Sequence, residues 1–197
     1  MNTKPVLTFA AIGGIGLAAL ALAGPPSSAR AQDDEAATNP AVARGEYLVK
    51  IMGCNDCHTP WTMTPRGPAP DMTRMLSGHP QDFVVTSAPD LGTGPWVMAA
   101  AATNTAWAGP WGVSFTMNLT PDPETGLGKW TADTFVAAIR TGKHEGQGRP
   151  ILPPMPWSMY RNATDEDLRA VFAYLQTIKP IKNRVPQPIE PAEAAQK

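Results

Sequence analysis

Cys54-Asn55-Asp56-Cys57-His58 is the stretch on which the reading of this chain turns. On a helical turn Cys54 and Cys57 fall on one face at i and i+3, and His58 projects over the same edge at i+4 from Cys54. These two cysteines are the only ones in 197 residues. Three chemistries could claim such a pair without using all of it. A redox dithiol needs a strand before the motif and a helix after it, but Ala41 to Gly53 has helical periodicity and Thr59-Pro60 follows. A structural zinc site needs a second close ligand pair, and His79 and His144 stand alone in loop-like sequence. A disulfide across two intervening residues is strained and leaves His58 without a role. Two sulfurs followed by an imidazole match the attachment pattern of a c-type haem, in which the thiolates bond the vinyl groups and the histidine meets the iron.

Upstream of the motif, Asn39 caps and Pro40 opens a helix. Val42, Gly45, Leu48, Val49 and Met52 form one stripe at 3.6-residue spacing, so this helix packs a single face and delivers the chain to the motif. Gly45 weakens the helix and therefore points to a close crossing by another one. Residues 32–39 are acidic and polar and read as a disordered linker. Residues 1–31 read as a signal peptide: a lone Lys4, an apolar stretch from Val6 to Ala23, and a small-residue site at Ala29-Arg30-Ala31. The stretch is about as long as the shortest bilayer-spanning helix, roughly 17 residues, so an uncleaved membrane anchor is the alternative.

Downstream, residues 60–129 hold ten Pro and eight Gly in 70 positions and show no sustained period, which predicts mostly loop with one short helix over Val97 to Thr103. Trp61, Trp96, Trp107 and Trp111 bring large apolar area, so the segment is expected to wrap the haem edge rather than lie disordered. A second helix is predicted from Thr131 to Thr141, ended by Gly142. A last one is capped by Thr164, carries Asp165, Glu166 and Asp167 in its first turn, repeats Leu168, Val171, Phe172, Leu175 and Ile178, and stops at Pro180. Residues 186–197 form a proline-rich tail.

Between those helices lies Pro153-Pro154-Met155-Pro156-Trp157. Prolines on both sides stiffen the loop, so it presents the Met155 thioether with little ordering entropy left to lose. Met155 is the candidate sixth ligand of the iron, with Met159, Met117, His144 and an open position as the alternatives. A His/Met pair raises the reduction potential because a soft, neutral thioether favours ferrous iron.

With these residues in hand, the chain resembles the class I c-type cytochromes, in particular single-haem domains similar to the cytochrome subunits of bacterial dehydrogenases. The resemblance covers residues 40–185, the cytochrome c domain. It rests on Gly45-Glu46-Tyr47-Leu48, on Cys54 to Pro60, and on Asn118-Leu119-Thr120-Pro121-Asp122 running through Thr125-Gly126-Leu127-Gly128 to Trp130. Pro154-Met155-Pro156 and Asp165-Glu166-Asp167-Leu168 leading to Tyr174-Leu175 complete it. It implies an all-α fold in which the N- and C-terminal helices cross near Gly45 and Tyr174, with a long Pro/Gly/Trp-rich middle segment and with His58 and Met155 on opposite haem faces. The chain departs from the small members of the class in that residues 80–117 have no counterpart. For Asn118 to Trp130 a turn-rich loop is the simpler reading, and contact of Asn118, Trp130 or Arg149 with the haem propionates is the other.

The formal net charge of −1 excludes the strong phosphate attraction of a nucleic-acid binder. Residues 1–31 contain Lys4 and Arg30 and no acid, so the chain without them carries −3. One covalent haem c per chain, bound at Cys54, Cys57, His58 and Met155, predicts an electron carrier rather than an enzyme. Its expected partners are redox proteins on the dehydrogenase or oxidase side, and its place is the periplasm or another exported location, with membrane contact only through an uncleaved N-terminal segment. The alternatives are a peroxidase-like haem enzyme with an open sixth site and a non-catalytic subunit of a dehydrogenase complex.

Overall fold

The computed structural model describes residues 39–191. The expected signal peptide, residues 32–38 of the linker and the last six residues of the tail lie outside the described residues.

Helix α1 spans Pro40–Ile51, with the Asn39 side chain accepting from the Ala41 amide at 2.9 Å. It buries Gly45, Leu48 and Val49 and passes through Gly53 into α2, Cys54–His58. Helix α3, Ala132–Thr141, begins at the Thr131 cap and buries Phe135, Val136, Ala138 and Ile139. A single turn, α4, covers Trp157–Tyr160. Helix α5, Asp165–Leu175, is capped by Thr164, which accepts from the Asp167 amide at 3.1 Å.

The main core lies where α1, α3 and α5 meet. Leu168, Val171, Phe172 and Leu175 of α5 pack with Leu48 and Val49 of α1 and with Phe135 and Ile139 of α3. The rings of Phe135 and Phe172 are 5.6 Å apart. At the crossing of α1 and α5 a Cβ on Gly45 would stand 1.9 Å from the Ala170 carbonyl oxygen and 2.8 Å from Tyr174 Cβ, so only glycine lets the backbones approach this closely. Ion pairs rim the bundle: Arg44 to Asp167 at 2.8 Å, Arg140 to Asp165 at 2.5 Å and Arg169 to Asp133 at 2.5 Å.

The all-α expectation is corrected by the middle segment, which folds into two small antiparallel sheets. Strands β1 (Trp61–Thr64) and β2 (Gly67–Pro70) form a hairpin about Pro65-Arg66, with Trp61 opposite Pro70. The second sheet has the order β3 (Ala99–Ala100), β4 (Ala106–Gly109), β5 (Gly112–Phe115). The predicted short helix over Val97 to Thr103 is therefore not formed. Ala99 and Ala100 pair with Ala108 and Trp107, and the chain reverses through Asn104 at φ 53°. Strands of two to four residues lie at or below the shortest run in which an alternating period can be read. Prolines in β2 are tolerated because that strand pairs on one side only.

A second core of Ala106, Ala108, Val113 and Phe115 lies on the three-stranded sheet. Val185 and Ile189 pack against it, and Ile189 exchanges backbone hydrogen bonds with Val113 at 2.8 and 2.9 Å. Among the described residues no helix is long and apolar enough to cross a membrane.

Candidate functional site

A cavity of about 160 Å³ opens between the helical bundle and the inner end of β5. Cys54, Cys57, His58 and Met155 all line it, so residues up to 101 positions apart in sequence meet around one cavity. The rest of the lining is largely apolar and includes Phe115, Leu127, Phe135, Ile139, Leu168 and Val171. Such a lining suits a large flat hydrophobic group and disfavours free water.

Each functional side chain is placed by an identifiable element. Gly53, at φ 67°, turns the chain from α1 into α2, and α2 sets Cys54, Cys57 and His58 on the cavity side. The cysteines are not bonded to each other. Burial pushes the Cys54 thiol up to about 12 and raises that of Cys57 as well, so neither is primed as a free thiolate. His58 is buried, and its Nδ1 donates to the Met117 carbonyl oxygen at 2.8 Å. That bond fixes the tautomer and leaves Nε2 as the lone-pair nitrogen. Burial holds the imidazole below its ordinary range, against the opposing effect of that carbonyl.

Met155 sits in the turn between α3 and α4. The turn is tied at its front by Ser114 Oγ, which donates to the Pro153 carbonyl at 2.5 Å. It is tied behind by the Tyr160 hydroxyl, which donates to the Met52 carbonyl. The Trp157 ring lies over Gly142 so closely that a Cβ there would come within 2.4 Å of it. None of these tethers was foreseen from sequence, since two of them end on backbone carbonyls, which any residue supplies.

The alternatives to Met155 fall in different places. Met117 lines the cavity, but its carbonyl is bonded to His58 Nδ1, which puts this residue beside His58. Met159 is 70% exposed. His144 lines the cavity and meets the Trp130 ring edge-on at 5.3 Å. His79 lies elsewhere, its Nε2 donating to the Phe83 carbonyl at 2.8 Å and its Nδ1 accepting from Thr105 at 3.0 Å. Among the described residues no cluster of three or more His, Cys, Asp or Glu could hold a bare metal ion.

Of the three residues considered for propionate contact, Asn118 is fully engaged otherwise. Its amide donates to the Ile181 carbonyl at 2.8 Å and its oxygen accepts from the Thr120 amide and hydroxyl at 3.0 and 2.8 Å. Trp130 and Arg149 line the cavity where it adjoins a second, more polar hollow. Burial lowers the Arg149 guanidinium from its ordinary range, and no carboxylate among the described residues pairs with it. The four tryptophans of the middle segment do not line the cavity; that segment contributes Ser114, Phe115, Thr116, Met117, Leu119 and Leu127 instead, and Trp96 is 75% exposed.

No protein-family model matches the chain. It is 30% identical over 147 residues to the cytochrome c subunit of a quinone-dependent alcohol dehydrogenase from Gluconacetobacter polyoxogenes, covering 73% of the chain and 26% of that protein. It is 29% identical over 167 residues to the cytochrome subunit of fructose dehydrogenase from Gluconobacter japonicus, covering 82% of the chain and 27% of that protein. A diheme c-type cytochrome from Cereibacter sphaeroides is 26% identical over 138 residues, covering 70% of the chain and 36% of that protein. The chain thus spans about a quarter of the length of the dehydrogenase subunits it matches.

Proposed function

We propose that this chain, similar in sequence to cytochrome c subunits of bacterial dehydrogenases, is a one-electron carrier holding one covalent haem c. The observation that carries the proposal is the buried His58, its Nδ1 spent on the Met117 carbonyl at 2.8 Å, lining the cavity that Cys54, Cys57 and Met155 also line. The donor set suits the group: the two thiols would form thioether bonds to it, the His58 Nε2 and the Met155 sulfur would bind its iron, and the apolar lining would cover the macrocycle. A single attachment motif and two cysteines support a count of one.

When bound, haem supplies an iron that cycles between ferric and ferrous states. The residues do the rest. Cys54 and Cys57 hold the group permanently, so it does not dissociate between donor and acceptor. His58 is oriented by Met117, and the hydrogen bond to a carbonyl makes its imidazole a better donor. Met155 would favour the reduced state and, bound to the iron, would leave no open site for a gas or peroxide, which is why a carrier is favoured over a haem enzyme. Arg149, which pairs with no carboxylate among the described residues and lines both the cavity and the more polar hollow, is suited to a propionate there. The location is the periplasm or another exported site, where c-type haem is attached. The electron donor or acceptor is a dehydrogenase catalytic subunit, as the names of the relatives suggest.

The test is to produce the chain together with haem-attachment machinery and compare the wild type with Met155→Ala. The wild type is expected to give low-spin ferric haem with a sulfur-to-iron band in the red, resistant to extraction by acidified acetone. Met155→Ala should lose that band and bind carbon monoxide rapidly when reduced. An unchanged spectrum in the variant refutes Met155 as ligand, and extractable pigment refutes the covalent cofactor.

A further inference from the structure

Met155 packs against the main core, and the turn that carries it is tied on either side of the sulfur. Ahead of it, Ser114 ties Pro153 to strand β5. Behind it, α4 carries Tyr160 back across the cavity, where the phenol donates to the carbonyl of Met52, two residues before Cys54. Of the two tethers, this one joins the turn bearing Met155 directly to the segment bearing the attachment cysteines and His58. The residues it joins are 108 apart in sequence. Tyr160 and Met52 both line the cavity, so the tether runs along its edge between two lining residues.

Resting on the coordination reading above, we infer that Tyr160 is a positioning residue for the sixth ligand: its hydroxyl sets the span between the Met155 turn and the Cys54–His58 helix. Burial raises the phenol to about 12, so it remains a donor across the physiological range. Packing of its ring against the core keeps the hydroxyl aimed at Met52. Losing the hydroxyl while keeping the ring frees the turn without emptying its place. The methionine then yields more readily to an exogenous ligand, while the covalent attachment and the His58 side stay as they were.

The experiment is imidazole titration of the ferric protein, read from its visible spectrum, for wild type, Tyr160→Phe, Met155→Ala and the double variant. Tyr160→Phe should raise the apparent imidazole affinity roughly two- to tenfold, the effect of one lost net hydrogen bond of about 0.5–1.5 kcal/mol. In the Met155→Ala background the same substitution should change the affinity little, because no sulfur remains to be displaced. Equal affinity of Tyr160→Phe and wild type overturns the inference, as does the same increase in both backgrounds. Failure of Tyr160→Phe to fold or retain haem assigns the phenol to folding and overturns it too. If Met155→Ala keeps the sulfur-to-iron band, the coordination reading itself has failed and takes this inference with it. Failure of the tyrosine variant alone leaves that reading standing.

Discussion

At the scale of single residues, polar groups in this chain are placed by one or two strong contacts, and their protonation follows. Arg44 donates to both oxygens of Asp167, at 2.8 and 3.3 Å, and this contact holds the Asp167 carboxyl below the usual carboxylate range. A carboxyl depressed on folding contributes stability that is fully present above its unfolded value of about 3.9 and is lost as pH falls through the lower folded value. Asp167→Asn should therefore melt below wild type at neutral pH, by the small margin of a solvent-screened pair, and the two curves should converge in strong acid. A margin that persists in acid would mean that the substitution acts on the helix start, not on the charge. Cys54, Cys57, His58 and Met155 could be proposed from the sequence because covalent and coordinate chemistry demands particular atoms at particular spacing, and the fold brings the four around one cavity. The Met117 carbonyl that orients His58 could not be, since every residue carries a carbonyl and only the fold selects this one.

At the scale of elements, the helices were readable and the strands were not, for a physical reason. Asn39, Thr131 and Thr164 satisfy helix ends with their own side chains, and the apolar positions of α1, α3 and α5 recur often enough to define a face. The strands of the middle segment are two to four residues long, and β2, β3 and most of β4 are Ala, Gly and Pro, so the Thr, Val and aromatic residues of β1 and β5 are too few and too short a run to mark a strand. The crossing of α1 and α5 is the most demanding junction. A methyl at position 45 would overlap the Ala170 carbonyl, an atom of the helix backbone that cannot rotate away. Gly45→Ala is accordingly expected to destabilise the protein by about 1–3 kcal/mol, despite the better helix propensity of alanine. Chemical denaturation of the haem-loaded protein measures this directly. A neutral or stabilising result would show that the two helices can separate at little cost.

At the scale of the whole molecule, two cores share one cavity. The helical bundle supplies the deep wall, and the three-stranded sheet supplies β5 and the residues leading from it to Met117. The sheet is finished by the tail: Ile189 pairs with Val113 through two backbone hydrogen bonds, Pro188 reaches the cavity wall, and Val185, just ahead of the tail, packs against the small core. Removing residues 186–197 takes away both hydrogen bonds, the Ile189 contact and one cavity-lining residue, while leaving α1, α3, α5 and every proposed haem contact. Such a truncation should lose about 1–3 kcal/mol from the net hydrogen bonds and apolar contact removed, yet keep its full complement of covalent haem. Hydrogen exchange at Val113 should quicken first, because its amide loses its partner, while the amides of α1 and α5 hold until global unfolding. If Val113 exchanges no faster and stability is unchanged, the strap does not complete the sheet. If haem is lost, the cavity depends on the tail in a way its contacts with β5 do not explain.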